Sequence, residues 1–139
     1  MDKVKMARQF IEAIPHAREL GMEFTDIGDG AAAMRMPYDP RLVGDPENGV
    51  LHGGAVYALL DTTCGAAVIA HPSNPGGTAT IGLRVDYMRA ATAGQALRTH
   101  AQCYHLTRNV AFVRATAMDD DSENPVAVAN GTFTVEGLK

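Results

Sequence analysis

One acidic side chain interrupts an otherwise apolar stretch in this chain of 139 residues. Asp61 lies within the run from Asn48 to Val68, NGVLHGGAVYALLDTTCGAAV, whose apolar residues would cover a helix on almost every side. Removing an unpaired carboxylate from water costs several kcal/mol, so such an acid is either held in a polar network or used in chemistry. Hydrogen bonds to the hydroxyls of Thr62 or Thr63 are the structural alternative to a catalytic role.

The sequence His52-Gly53-Gly54 begins the predicted helix and supplies the second half of a candidate site. The first backbone N–H groups of a helix lack intrahelical acceptors, and the helix dipole favours negative charge beside them. Gly53 and Gly54 are therefore candidate donors to an oxyanion, and His52 is a candidate for positioning the site or capping the helix. An oxyanion pocket combined with a desolvated acid is typical of acyl chemistry.

The separation of Gly53 and Asp61 restricts how the two groups can cooperate. At 1.5 Å per helical residue they lie roughly 12 Å apart along the axis. A reacting carbonyl must lie about 3 Å from both the acid and the oxyanion donors. One helix cannot meet both conditions, but two antiparallel helices related by a two-fold axis can. We therefore expect a site shared between two copies, with a homodimer as the minimal working unit.

The bulk composition excludes several classes of function and predicts one domain over residues 1–139. A net charge of −4 does not favour binding to nucleic acid or to an anionic membrane. The five histidines lack the spacing of a zinc site, and Cys64 and Cys103 lie in apolar segments, as buried free thiols do. The N-terminus has no apolar run typical of a secretory signal. These features predict a cytoplasmic protein that uses no metal or redox cofactor.

Two helices are predicted from the spacing of apolar residues. Residues 3–14 form an amphipathic pattern that Pro15 ends, within an N-terminal helical segment of residues 1–20. The long apolar run predicts a central helix over residues 54–70. Because a helix that is apolar on every side has to be buried, we expect this central helix to form the core.

Alternating apolar residues predict strands through most of the remaining chain. Two short strands precede a loop over residues 37–48, and the main strands occupy residues 76–136. In the first of these main strands, alternation places Thr80 on one face together with Arg84 and Asp86. Small side chains at alternate positions of the later strands let a sheet curl closely around the central helix.

This combination resembles the hotdog-fold thioesterases, and most closely the PaaI-type (phenylacetate-pathway) acyl-CoA thioesterases. The similarity extends over most of the chain and rests on three segments, HGGAVYALLDT at 52–62, RVDYMRAA at 84–91 and TRNVAFV at 107–113. The resemblance implies an α+β hotdog fold, in which a long antiparallel sheet wraps around one central buried helix. It also implies a homodimer, and further pairing into a homotetramer is common in the family.

The family resemblance assigns catalytic roles around a thioester. Asp61 would act as the nucleophile or as a general base for water. Gly53, with Gly54 nearby, would donate backbone N–H groups to the thioester oxygen, and His52 would help to position the site. Thr80 lies where the family often has a Ser or Thr that orients the water or the acid.

The resemblance also identifies contacts for the coenzyme A part of the substrate and shows one departure. Arg89, Arg108 and the adjacent Asn109 lie where basic and polar residues of the family tend to meet coenzyme A. The family often has an Asn six positions before the His, where this chain has Pro46. Asn48, two positions later, is the candidate replacement.

The predicted activity is hydrolysis of an acyl-CoA thioester to a free acid and coenzyme A, without a cofactor. Two alternatives stay open: a hotdog hydratase or dehydratase that acts on acyl thioesters, and a noncatalytic module that binds acyl-CoA. The sequence lacks the characteristic hydratase patterns, and residues 1–20 are too short for an added DNA-binding segment. Aromatic, medium-chain and short polar acyl groups are all compatible with the sequence.

Overall fold

A six-stranded antiparallel sheet curls around one long helix in the computed structural model, which describes residues 2–136. The helices are α1 Lys3–Glu12, α2 Pro15–Glu19 and α3 Gly53–Ile69. The strands are β1 Glu23–Gly28, β2 Ala31–Met36, β3 Val43–Asp45, β4 Val50–Leu51, β5 Thr80–Tyr87, β6 Leu97–Leu106, β7 Val110–Met118 and β8 Ala127–Thr134. The order across the large sheet is β1-β2-β6-β7-β8-β5, and β3 pairs with β4 in a separate ribbon.

Helix α3 fills the concave side of the sheet. It contacts strands along its length and α1 on another side, which is why its apolar residues surround the whole helix instead of forming one stripe. The hydroxyl of Thr63 on α3 lies 2.6 Å from that of Thr99 on β6, so a buried hydrogen bond ties the helix to the sheet. The predicted central helix and the antiparallel sheet around it are confirmed.

Small side chains on the inner face of the sheet allow this close wrapping. The buried, inward-facing residues of β7 and β8 are mostly alanine and valine: Ala111, Val113, Ala115, Ala117, Ala127, Ala129 and Phe133. Gly131 marks the tightest approach, because a Cβ there would lie 2.8 Å from Cδ1 of Leu83 on β5. A side chain at this position would therefore displace Leu83 or the backbone of β5, and glycine avoids that clash.

The N-terminal segment differs from the predicted single helix. The carboxylate of Asp2 caps α1 by accepting the N–H of Val4 at 3.0 Å, and α1 ends at Glu12. Ile14 is extended, with φ −77° and ψ 115°, and Pro15 is the first residue of α2. Proline disfavours helical backbone in the residue before it but suits the first position of a helix, so it separates two helices here.

The loop predicted over residues 37–48 also contains regular structure. A single 3₁₀ turn, Pro40–Leu42, leads into β3, and β3 pairs with β4 immediately before α3. The N–H of His52 donates to the carbonyl of Leu42 at 2.8 Å. This bond holds the ribbon against the beginning of α3.

Candidate active site

The carboxylate of Asp61 is paired with a hydroxyl on the neighbouring edge strand. Asp61 lies in the middle of α3 on a partly exposed side, and Thr80 is the first residue of β5. The hydroxyl of Thr80 donates a hydrogen bond of 2.8 Å to Oδ1 of Asp61. Within residues 2–136, Oδ2 of Asp61 accepts no hydrogen bond, so this oxygen is available to a water or a substrate.

The hydroxyls that neighbour Asp61 on its own helix do not hold the acid. Those of Thr62 and Thr63 donate instead to the carbonyls of Ala58 and Leu59, at 2.8 and 2.7 Å. The carboxylate is therefore oriented from the sheet, and the structural alternative in which Thr62 or Thr63 satisfies it is wrong.

A β-bulge in β5 turns Thr80 toward α3. Thr80 and Gly82 pair with consecutive residues of β8, so Ile81 is an extra residue in this strand. The extra residue shifts the alternation of side chains by one position. Arg84 and Asp86 consequently form an ion pair of 3.2 Å on the opposite, solvent-exposed face. The prediction that Thr80 shares their face is wrong.

The first turn of α3 offers fewer free N–H groups than predicted. Nδ1 of His52, the N-cap residue, accepts the N–H of Gly54 at 2.8 Å. The N–H of Ala55 donates to the carbonyl of His52, whereas the N–H of Gly53 has no acceptor in the described part of the chain. The donor role predicted for Gly54 is therefore corrected, because His52 occupies its N–H, and Gly53 is the candidate oxyanion donor.

Two tyrosines connect α3 to β5. The hydroxyl of Tyr87 donates to the carbonyl of Gly53 at 2.8 Å, and that of Tyr57 donates to the carbonyl of Leu83 at 2.9 Å. Burial, and secondarily Tyr57, raises the pKa of Tyr87, which keeps the phenol protonated as a donor. The sequence signal for Tyr57 is its position one helical turn before Asp61, on the same side of the helix.

Within one chain the acid and the oxyanion donor stay apart. Helix α3 runs without interruption from Gly53 to Ile69, so Gly53 and Asp61 are roughly 12 Å apart along its axis. Both residues are partly exposed. A single chain therefore carries both candidate groups without bringing them together.

Arg89 is committed to a structural ion pair. Its guanidinium donates two hydrogen bonds of 2.7 Å to the carboxylate of Asp119, which is fully buried. Its other N–H groups donate to the carbonyls of Ala90 and Asn124. Arg89 is the main cause that holds the pKa of Asp119 well below its ordinary value. Because every guanidinium donor is used, the predicted coenzyme A contact of Arg89 is corrected.

The remaining predicted site residues lie in exposed turns. The side-chain oxygen of Asn48 accepts the N–H of Val50 at 3.0 Å and so shapes the turn before β4. Arg108 and Asn109 form the turn between β6 and β7, at the end of the sheet where Thr80 begins β5. Among residues 2–136 Arg108 has no ion-pair partner, so its guanidinium is free to meet an anion.

The described residues offer neither a reactive cysteine nor a metal site beside Asp61. Cys64 is fully buried, and burial, Asp61 and Cys103 raise the pKa of its thiol to about 12. Cys64 therefore stays protonated in the core, as predicted. Over residues 2–136, no group of three or more His, Cys, Asp or Glu side chains could hold a metal ion, and no helix is long and apolar enough to cross a membrane.

Comparison with known proteins identifies a family and relatives that share this architecture. The family model of the thioesterase superfamily matches residues 48–126. VNG_1336C of Halobacterium salinarum, a candidate esterase, is 32% identical over 122 residues, which cover 84% of this chain and 81% of the relative. YigI of Escherichia coli, named medium/long-chain acyl-CoA thioesterase, is 24% identical over 94% of this chain and 91% of its own. The structure of the Escherichia coli PaaI protein, from the phenylacetic acid degradation operon, superposes with a TM-score of 0.85 at 20% identity, covering 97% of this chain and 94% of that one. The shared fold confirms the predicted α+β hotdog architecture.

Proposed function

This chain belongs to the thioesterase superfamily, and we propose that it hydrolyses the thioester of an acyl-CoA to a free acid and coenzyme A. The observation that carries the proposal is the Asp61–Thr80 pair, in which a carboxylate on an apolar helix is oriented by a hydrogen bond from the sheet. The name of the relative YigI, an acyl-CoA thioesterase, supports a coenzyme A ester as the substrate.

Asp61 supplies the reactive group by one of two routes. As a general base it takes a proton from water, the water oxygen bonds to the carbonyl carbon, the C–S bond breaks, and the departing thiolate takes up the proton. As a nucleophile it displaces the thiolate to form a mixed anhydride, which water then hydrolyses. In both routes Thr80 orients the carboxylate, and the N–H of Gly53 meets the negative charge that develops on the carbonyl oxygen.

The working unit in this proposal is a homodimer. In the described residues the outer edge of β5 is unpaired, and beside it Tyr57, Ile81, Tyr87 and Met88 are 38 to 59% exposed. Unpaired strand edges and clustered apolar side chains are typical of association surfaces. Tyr57 lies midway between Gly53 and Asp61, so a two-fold axis near Tyr57 would bring each acid to the partner's Gly53. This site needs no further pairing into a homotetramer.

Four exposed residues complete the proposed site. Arg108 carries the free guanidinium in the β6–β7 turn, and with Asn109 it is the proposed contact for the phosphates of coenzyme A. Asn48 is proposed to border the site from the turn before β4. His52 acts by holding the first turn of α3 so that the N–H of Gly53 stays free.

A thiol-release assay across acyl-CoA thioesters of increasing chain length tests the function. We expect release of coenzyme A from at least one of them, at a rate that a chelator does not change. Enoyl-CoA substrates in the same series distinguish a thioesterase from a hydratase, because a hydratase would add water to the double bond without releasing thiol. Background rates on the whole series, with acyl-CoA binding intact, would refute the proposal and favour a noncatalytic binding module.

A further inference from the structure

A small cavity adjoins the Asp61 carboxylate beneath the N-terminal helix. Its volume is about 140 Å³, and it is bounded by α1, the link between α1 and α2, α3, the segment that leads into β5 and one residue of β8. Asp61 and Thr80 are among the residues that line it. The largest remaining side chains around the cavity are apolar: Phe10, Ile11, Ile14, Ile69 and Phe133.

The hydroxyls that line the cavity are already satisfied by the protein. Thr62 donates to a carbonyl of its own helix, Thr78 donates to the carbonyl of Thr134 at 2.7 Å, and Thr80 donates to Asp61. A bound water or a polar ligand group needs several polar partners, and the walls offer chiefly one carboxylate. The cavity therefore favours a hydrocarbon group.

Gly65 keeps this cavity open. It lies inside α3, where glycine destabilises a helix relative to alanine. A Cβ at Gly65 would approach no atom more closely than Cγ2 of Thr78, at 4.0 Å, so packing does not require glycine. The space that a larger side chain would occupy is the cavity itself.

We propose that this cavity holds the hydrocarbon part of the acyl group and that Gly65, Phe10 and Ile14 set its size limit. The inference rests on the proposed thioesterase function, because it places the acyl carbons directly beside Asp61. A cavity of about 150 Å³ lined by Leu, Ile and Phe accommodates benzene, so this one suits a ring or chain of about six carbons. A much longer chain would meet the side chains of Phe10 and Ile14.

The test compares kcat/KM for acetyl-, hexanoyl- and dodecanoyl-CoA in the wild type and in variants of the cavity wall. The wild type should prefer hexanoyl-CoA. Gly65→Ala should lower the hexanoyl value about tenfold relative to the acetyl value, the discrimination typical of one methyl-sized group in an apolar pocket. Its Tm should rise or stay unchanged, which separates the loss from misfolding. Ile14→Ala should shift the preference toward dodecanoyl-CoA.

Gly28→Ala is the matched control, since a Cβ at Gly28 meets nothing within 4 Å and the residue lies outside the cavity. It should leave the chain-length profile unchanged. If Gly65→Ala and Ile14→Ala each change kcat/KM by the same factor for all three substrates, the cavity does not hold the acyl group, although the thioesterase function stands. A wild type without chain-length preference overturns the inference in the same way. A wild type inactive on all thioesters would overturn the proposed function, and this inference with it.

Discussion

Mixing two inactive variants tests whether the active site is shared between copies. Asp61→Ala removes the acid, and Gly53→Pro removes the N–H of the oxyanion donor. Gly53 is the first residue of α3, a position that proline favours. His52 before it has φ −61° and ψ 139°, a conformation that suits the residue preceding proline. The Gly53→Pro change therefore deletes one donor while the helix is kept.

The expected recovery follows from the separation of the two groups along α3. Loss of an oxyanion donor costs about 10²–10³ in kcat, and loss of the acid about 10²–10⁴, so each homodimer should be nearly inactive. In a mixed dimer both defects fall in one site, and the other site is intact. Random mixing in equal amounts makes about half of the dimers mixed, so about a quarter of the wild-type activity should return in the mixture and about half in the isolated mixed dimers.

The assay measures thiol release before and after co-refolding of the two variants, with different affinity tags to isolate the mixed dimers. Circular dichroism of each homodimer establishes that both variants fold. Mixing Asp61→Ala with Asp61→Asn is the control, because it forms the same dimers but leaves no complete site. If isolated dimers of Asp61→Ala and Gly53→Pro show no recovered activity, the acid and the donor do not meet across the two-fold axis and the proposed arrangement is refuted.

Four further changes test single contacts. Asp61→Asn should lower kcat about 10²–10⁴-fold with KM little changed in steady-state assays, and near-normal turnover would make Asp61 structural. Thr80→Ala removes the 2.8 Å bond to Asp61 and should lower kcat/KM about tenfold, whereas Thr80→Ser should retain activity. His52→Ala removes the N-cap of α3 and should lower the free energy of urea unfolding by about 1 kcal/mol, whereas His52→Asn should lower it less. Because Arg89 depresses the pKa of Asp119 in the folded state, the unfolding free energy should decrease as pH falls below about 4. Asp119→Asn should weaken that pH dependence, and an unchanged slope would contradict the assignment.

The features predicted correctly are those that depend on the local spacing of apolar residues along the chain. The central helix could be located because its apolar residues recur all round, and the inner face of the sheet because alanines alternate along β7 and β8. Asp61 could be singled out in the same helix because a charged side chain is unusual among its apolar residues. The glycine pair that begins the helix made Gly53 and His52 candidates from the sequence, and their roles stay predictions.

The features that were missed depend on pairing between distant segments. In β5, Ile81 is apolar and fits regular alternation, and only its opposition to β8 shows that it is the extra residue. Arg89 meets Asp119 thirty residues later, in an acidic turn that reads as solvated surface. Which N–H of the first turn remains free depends on the orientation of the His52 ring, and sequence spacing carries no information about it.

The bulge at Ile81 has a consequence for how relatives of this protein should be aligned. Thr80 faces Asp61 because it pairs with Phe133, and Gly82 pairs with the adjacent Thr132. A homologue with a one-residue gap at Ile81 would form a regular strand there and would still present its hydroxyl to the acid. Homologous positions before the bulge therefore have to be counted from the partner strand, and a motif search that fixes the spacing between Thr80 and Leu83 would discard relatives that have the same site.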